Sequence, residues 1–347
     1  GHSCIISSDY LTDEDADKMD VDIKAKAFNE LVEKSDIILT IGGDGTLLST
    51  ARRMEENIKP ILGIHIGGLG FLAESTCHTM EEAITNAQTV IIAIPSQSIR
   101  KLLQDNKSLF SGNQTIVNVS KGLENGSLMT VSELIRDVLG DNITKIVTLS
   151  GPSHAEEVIE DQPTTMVSAS SNNEAAEEVQ LLFASENLRI YQSHDIKGVE
   201  LGGSIKNVIA IAAGICDGIG FGDNSKAALL TRGIAEISRL GSAMGAELKT
   251  FNGLSGIGDL IVTCLSKHSR NRLVGQAIGE GKPLNGILPD MTMVAEGVMT
   301  SKSVHSLMKK YDVTMPISEA VYQILFKRRN PKESVNDLMA RELKMEG

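Results

Sequence analysis

The chain has 347 residues, 41% of them hydrophobic and 22% charged, the balance of a folded protein long enough for two domains and an ample core. Its net charge of −12 excludes a general nucleic-acid or anionic-membrane binder, and 3% aromatics without tryptophan leave no stacking platform for bases. Cys4, Cys77, Cys216 and Cys264 are too widely spaced for a metal or redox pair and read as reduced core thiols.

An apolar run from Cys4 to Ser7 is followed by an acidic stretch, Asp13 to Asp22. A helix is expected from about Ile23 to Lys34, with Ala27, Phe28, Leu31 and Val32 on one face. A strand, Asp36 to Ile41, then runs into Gly42-G-D-G-T46 and a helix beginning near Leu47. Strand, glycine turn and helix N-terminus together offer backbone N–H groups to a phosphate, and Asp44, flanked by Gly42, Gly43 and Gly45, suits a carboxylate facing a metal-bound phosphate or a ribose. Further on, Gly68-L-G-F-L-A73 fits G-x-G-x-x-A after a strand, although no acidic residue ends a strand about 20 residues later.

From about Met80 an α/β rhythm takes over. A helix, Glu81 to Ala87, precedes a strand, Thr89 to Ile94, the loop Pro95 to Ser98 and a helix near Ile99 to Leu103. Strands follow at Gln114 to Ser120, Lys145 to Ser150, Thr164 to Ser168 and Leu188 to Gln192, with a helix around Glu174 to Ala184. Apolar, branched strands separated by helices predict a parallel sheet covered on both faces, which binds ligands beyond the carboxyl ends of its strands. Pro95-Ser96, Lys121-Gly122 and Gly151-Pro152-Ser153 lie at such ends.

After Ser193 the pattern is helical alone: Val199 to Gly218, Lys226 to Gly245, Leu260 to Leu265, Arg270 to Gly279, Ser301 to Tyr311, Ser318 to Phe326 and Pro331 to Ala340. The first of these is nearly all apolar or small between Leu201 and Ile215, so it reads as a helix buried on most sides, with Lys206 and Asn207 in its middle. One turn before Lys206 stand Gly202 and Gly203, each costing about 1 kcal/mol against alanine in a helix. Their expected use is clearance for the Lys206 ammonium in a substrate pocket; close helix packing is the alternative.

Two further motifs bear on Lys206. Gly253-L-S-G-I-G-D259 brings Asp259 to the start of an apolar helix. Ser266-K-H-S-R-N-R272 opens the next helix with Ser269 at its N-cap, where free N–H groups, Arg270, Asn271 and Arg272 converge. In an acidic chain this is the natural local site for a phosphate.

Two family resemblances rest on these residues. Ile41-G-G-D-G-T-L-L-S-T50 and Pro60-I-L-G-I-H-I-G-G-L-G-F-L-A-E74 resemble NAD kinase, which implies a catalytic base at Asp44 in the Gly42-Gly43-Asp44-Gly45 loop. Lys121, Gly151-P-S-H-A155, Val199-E-L-G-G-S-I-K-N207, Gly253-L-S-G-I-G-D259, Ser269-R-N271 and Met293-V-A-E-G297 resemble bacterial NAD(P)-dependent glycerol-3-phosphate dehydrogenase, from about residue 79 to about 345. That resemblance implies Lys206 as proton acceptor. It implies Lys121, Gly151, Ser153, Lys206, Asp259, Ser269, Arg270 and Asn271 around glycerol 3-phosphate or dihydroxyacetone phosphate, and Lys121, Ala155, Arg270, Val294 and Glu296 at the cofactor, NAD or NADP.

The implied architecture is a Rossmann-like parallel sheet followed by an all-α C-terminal domain. A family of this kind opens with a strand and G-x-G-x-x-G; here a kinase-like segment stands in that place. The expected division is a kinase-like segment over 1–75, the remaining dinucleotide-binding α/β domain over 76–192 and a helical substrate domain over 193–347. The implied activity belongs to glycerophospholipid synthesis. No metal, nucleic acid or membrane span is expected, a homodimer is plausible, and with no secretory leader and no uninterrupted apolar run of about 18 residues a cytoplasmic protein is the default.

Overall fold

The structure, a computed structural model, describes residues 4–7, 23–26, 38–42, 61–65, 84–287, 291, 294–343 and 345. Backbone contacts divide the chain into two units, Gly1–Ala87 and Gln88–Gly347.

In the first unit β1 (Cys4–Ser7) pairs in parallel with β2 (Ile23–Lys26), and β3 (Ile38–Gly42) with β4 (Ile61–His65), Gly42 lying opposite His65. The helix expected from Ile23 is corrected here: Ile23-K-A-K26 is extended, and its strict alternation of apolar and charged residues has the period of a strand. Gly42 ends β3, whereas Gly43, Asp44 and Gly45, the helix expected from Leu47 and Gly68 to Ala73 lie outside the described residues.

The second unit opens with β5 (Thr89–Ile92), α1 (Ser96–Asp105), β6 (Thr115–Asn118), α2 (Val131–Leu139) and β7 (Lys145–Ser150). It continues with α3 (Ala155–Ile159), β8 (Thr164–Ala169), α4 (Asn173–Phe183) and β9 (Leu188–Ser193). The five strands lie side by side in chain order. Alternation along them builds two layers: Ile116 and Ile146 face α1 and α2 with Ile99, Leu103, Leu134 and Ile135, while Val117 and Val147 face α4 with Ala175 and Val179.

One junction departs from the expected all-parallel sheet. β7 and β8 are antiparallel, Thr148 opposite Ala169 and Ser150 opposite Val167, whereas the other three pairings are parallel. The connection between them carries only the five-residue α3, where the parallel neighbours are joined through longer helices.

The helical part begins with α5 (Ile196–Ile219), capped by Asp195, which accepts from Gly198 N at 2.9 Å, and closed by left-handed Gly220 (φ 90°). Then come α6 (Asp223–Ala243), α7 (Leu248–Phe251), a π-turn (Leu254–Gly258) and α8 (Asp259–Leu265). The remainder is α9 (Arg270–Gly279), α10 (Leu284–Ile287), α11 (Glu296–Lys310), α12 (Pro316–Lys327) and α13 (Pro331–Met339). Every residue from Gly198 to Cys216 is buried, and Leu201, Ile205, Val208, Ile209 and Ile211 form the middle of a core that α6, α8, α9, α11 and α12 close. α5 is long and apolar enough to cross a membrane, but its apolar window is wholly enclosed by the protein, as befits a core helix. A side chain at Gly214 would strike the Arg272 carbonyl and one at Gly275 the Ile211 carbonyl, so glycines on both helices permit the close crossing of α5 and α9.

Candidate active site

The fold places Lys206 on the most enclosed stretch of α5 and Asp259 on the first residue of α8, which the π-turn sets against it. The Lys206 ammonium donates to Asp259 Oδ1 and, at 2.6 Å, to Thr263 Oγ1 one turn further along α8. The other oxygen, Oδ2, accepts from Lys121 Nζ at 2.9 Å; that ammonium also donates to the Gly151 carbonyl at 2.8 Å, as does Ser153 Oγ at 3.1 Å. One carboxylate thus joins two cations, one just beyond β6 and one on α5, to the end of β7.

The electrostatics follow from burial. The Lys206 side chain is 6% exposed, and burial drives its ammonium down to about 7, with Asp259 opposing and Lys121 adding to the fall. Burial by itself raises the Asp259 carboxyl, but the Lys121 and Lys206 ammoniums outweigh it and hold the group below the ordinary aspartate range. An amine poised near neutrality takes up and releases protons with equal ease.

The glycine pair before Lys206 does something other than open a space above it. A Cβ on Gly202 would collide with the Ser255 carbonyl, and one on Gly203 would lie 2.8 Å from Ser150 Oγ and 3.7 Å from the Lys121 stem. The glycines bring the π-turn and the ends of β6 and β7 close to α5; the Lys206 head lies against α8.

A second group forms around the start of α9. Ser269 is buried and caps the helix, accepting from Arg272 N at 3.3 Å. Exposed Arg270 donates from Nη1 to the Val294 carbonyl at 3.0 Å, and buried Asn271 accepts Gly297 N at 2.9 Å. Glu296, the first residue of α11, accepts from Ser96 N at 3.1 Å and Ser96 Oγ at 2.8 Å at the start of α1, and burial raises its carboxyl above the ordinary range against those two donors. Arg272 is turned away from this group: its Nε donates to Asp217 at 2.6 Å, where Lys226 also binds. The two groups meet at Asn207, whose carbonyl packs on Gly297 and whose amide donates to the Gly203 carbonyl at 3.4 Å and the Lys121 carbonyl at 3.5 Å.

Lys121, Gly151, Ser153, Lys206 and Asp259 therefore form one bonded set, and Ser269, Arg270, Asn271, Val294 and Glu296 its neighbour. Ala155 begins α3, exposed, two residues beyond Ser153. Thr263 is a site neighbour that sequence reading did not single out; its signal is the spacing of four from Asp259 on one helix face, whereas Ser96 stands at one of the strand ends expected to face a ligand. The described residues suit the nicotinamide end of a dinucleotide: Arg270 keeps further N–H groups, and each Glu296 oxygen retains a lone pair beyond the Ser96 bond.

Residues 195–336 match the family model for the C-terminus of NAD-dependent glycerol-3-phosphate dehydrogenase, and residues 74–176 match the model for its N-terminus. The glycerol-3-phosphate dehydrogenase [NAD(P)+] of Bacillus subtilis is 51% identical over 263 residues, covering 76% of this chain and 76% of that protein. This chain belongs to the NAD-dependent glycerol-3-phosphate dehydrogenase family. The family member from Prosthecochloris aestuarii is 48% identical over 295 residues, covering 85% of this chain and 88% of its own length. Among solved structures, the glycerol-3-phosphate dehydrogenase of Coxiella burnetii superposes with a TM-score of 0.74 at 30% identity, over 88% of this chain and 99% of that one. Residues 6–91 match a different model, the ATP-NAD kinase N-terminal domain, so both resemblances read from the sequence are found, overlapping between 74 and 91.

Proposed function

We propose that this chain is an NAD(P)-dependent sn-glycerol-3-phosphate dehydrogenase, interconverting dihydroxyacetone phosphate and glycerol 3-phosphate. The observation that carries the reading is the Lys206 amine, buried, brought to about 7 and held by Asp259 and Thr263 in a chain 51% identical over 263 residues to a named dehydrogenase of this kind. A nicotinamide ring bound between Lys121, Ala155, Arg270, Val294 and Glu296 would supply hydride transfer to and from the carbon that bears the oxygen. In oxidation, neutral Lys206 takes the hydroxyl proton as hydride leaves; in reduction, its ammonium protonates the developing alkoxide. Asp259 orients that amine and stabilises its charged form. The start of α9, with Ser269, Arg270 and Asn271, binds the phosphate, and the fixed phosphate positions the reacting carbon.

The test is consumption of NADH or NADPH that requires dihydroxyacetone phosphate and is lost in Lys206→Ala. Unchanged turnover in that variant rejects Lys206 as the proton carrier. The same reading takes the helical part from about residue 193 as the substrate domain and the protein as a cytoplasmic homodimer serving glycerophospholipid synthesis; sedimentation of the purified chain tests the dimer.

A second reading is favoured by the match of residues 6–91 to the kinase model where a dehydrogenase carries its pyrophosphate turn. It is a protein that holds glycerol 3-phosphate without turnover. Calorimetry decides between them: heat from glycerol 3-phosphate with none from NADH or NADPH supports the second.

A further inference from the structure

Six residues before Lys206 on α5, Glu200 is almost completely buried, 4% exposed. Among the described residues it makes no salt bridge. Four donors from three elements converge on its carboxylate. Oε1 accepts Ser132 N at 2.8 Å, Thr148 Oγ1 at 2.9 Å and Asn118 Nδ2 at 3.3 Å, and Oε2 accepts Ser132 Oγ at 2.5 Å. Ser132 lies in the first turn of α2, Thr148 near the end of β7, and Asn118 is the last residue of β6.

The last two stand three residues before site groups. Asn118 shapes the chain that leads to Lys121: its Oδ1 accepts Ser120 N at 2.9 Å and its Nδ2 donates to the Ser120 carbonyl at 3.2 Å. Thr148 precedes Ser150 and Gly151, whose carbonyl holds Lys121. Glu200 therefore grips both strands that carry the Lys121 contacts, from the same helix that carries Lys206. We propose that Glu200 is a positioning residue for the reaction: its carboxylate fixes the ends of β6 and β7 against α5, and so sets the Lys121 ammonium and the Gly151 carbonyl relative to Lys206. The inference rests on the dehydrogenase reading above. The contrasting role is a buried polar group that stabilises helix docking without bearing on the site.

Three variants of the full chain separate the two roles: Glu200→Gln, Glu200→Leu and Thr148→Val. Each is measured for kcat and KM with dihydroxyacetone phosphate and for glycerol 3-phosphate affinity by calorimetry, at a temperature where circular dichroism shows it folded. Gln keeps the acceptor for Asn118, Ser132 N and Thr148 and donates to the Ser132 hydroxyl, so kcat and KM should stay within about threefold of wild type. Leu releases both strand ends, so kcat should fall and KM rise by about tenfold each, since small misplacement of reacting groups is severe. Thr148→Val, which frees one strand, should shift both values in the same direction by about threefold. Wild-type kcat, KM and affinity in folded Glu200→Leu, or in Thr148→Val where the leucine variant does not fold, overturns the proposal. So does a glutamine variant as impaired as the leucine one. Should the wild-type chain lack turnover, the dehydrogenase reading fails, and the glycerol 3-phosphate affinities alone then judge Glu200.

Discussion

Lys206 and Asp259 are 53 residues apart in the chain and meet as a buried ion pair between α5 and α8. The second Asp259 oxygen belongs to Lys121, so one negative charge serves two positive ones. Asp259→Asn preserves shape and takes from the Lys121 and Lys206 amines the carboxylate that they share. Removing one partner of a buried pair costs about 3–5 kcal/mol, and the unfolding free energy from urea titration should fall by about that much. Turnover should fall by about a hundredfold, because an amide offers one acceptor oxygen where Lys121 and Lys206 use two, and its NH2 group meets the other amine and displaces it. Wild-type turnover in a folded variant would remove Asp259 from the site.

The two directions of reaction should respond oppositely to pH. Oxidation needs the neutral amine, reduction the ammonium, and burial sets Lys206 at about 7. Glycerol 3-phosphate oxidation should therefore rise with pH through an inflection near about 7, and dihydroxyacetone phosphate reduction should fall through the same region. In Asp259→Asn the inflection should move to lower pH, since the carboxylate raises the Lys206 value while burial and Lys121 lower it. Profiles of kcat in both directions check this; parallel slopes would mean that another group carries the proton.

Lys206 is legible in the sequence because a charged residue inside a long apolar run must find a partner within the protein. Asp259 and the start of α9 are legible for a related reason: a glycine-rich turn before a carboxylate and an N-cap before two cationic side chains are local patterns. What joins them is not local. The Glu200 network draws on β6, α2 and β7, and no spacing within α5 announces it. The antiparallel direction of β8 is set by its pairing with β7, Thr148 opposite Ala169, and no pattern within Thr164–Ala169 announces it. For Gly202 and Gly203 the sequence leaves clearance and packing open, because a missing side chain does not say what fills its place; Ser255, Ser150 and Lys121 do.

Alanine at these two glycines should give unequal results. Each substitution gains about 1 kcal/mol of helix propensity. At Gly202 the new methyl meets the Ser255 carbonyl, part of the backbone that presents Asp259, and the π-turn must shift. At Gly203 it meets the Ser150 hydroxyl at 2.8 Å, a side-chain atom that can rotate aside. Overpacking at Gly202 costs about 1–3 kcal/mol, so Gly202→Ala should be less stable than Gly203→Ala by about that amount, the propensity gain being common to both. Thermal denaturation of both checks the order; equal midpoints would show that the π-turn yields as readily as the serine.

The Glu200 carboxyl offers a stability test independent of turnover. Burial raises its proton affinity above the ordinary 4.5, against the lowering effect of the Ser132 and Thr148 donors. Because the folded state holds this proton more tightly than the unfolded chain, the associated stability is complete below 4.5 and is lost as pH rises through the folded value. Glu200→Gln is neutral throughout and escapes that loss. Its stability relative to wild type should therefore improve from pH 4.5 upward and level off once the wild-type carboxyl is fully ionised. Urea midpoints of the two proteins across that range measure the difference directly. A difference independent of pH would mean that the folded carboxyl titrates as it does in the unfolded chain, and that the donors from α2, β6 and β7 fully offset its burial.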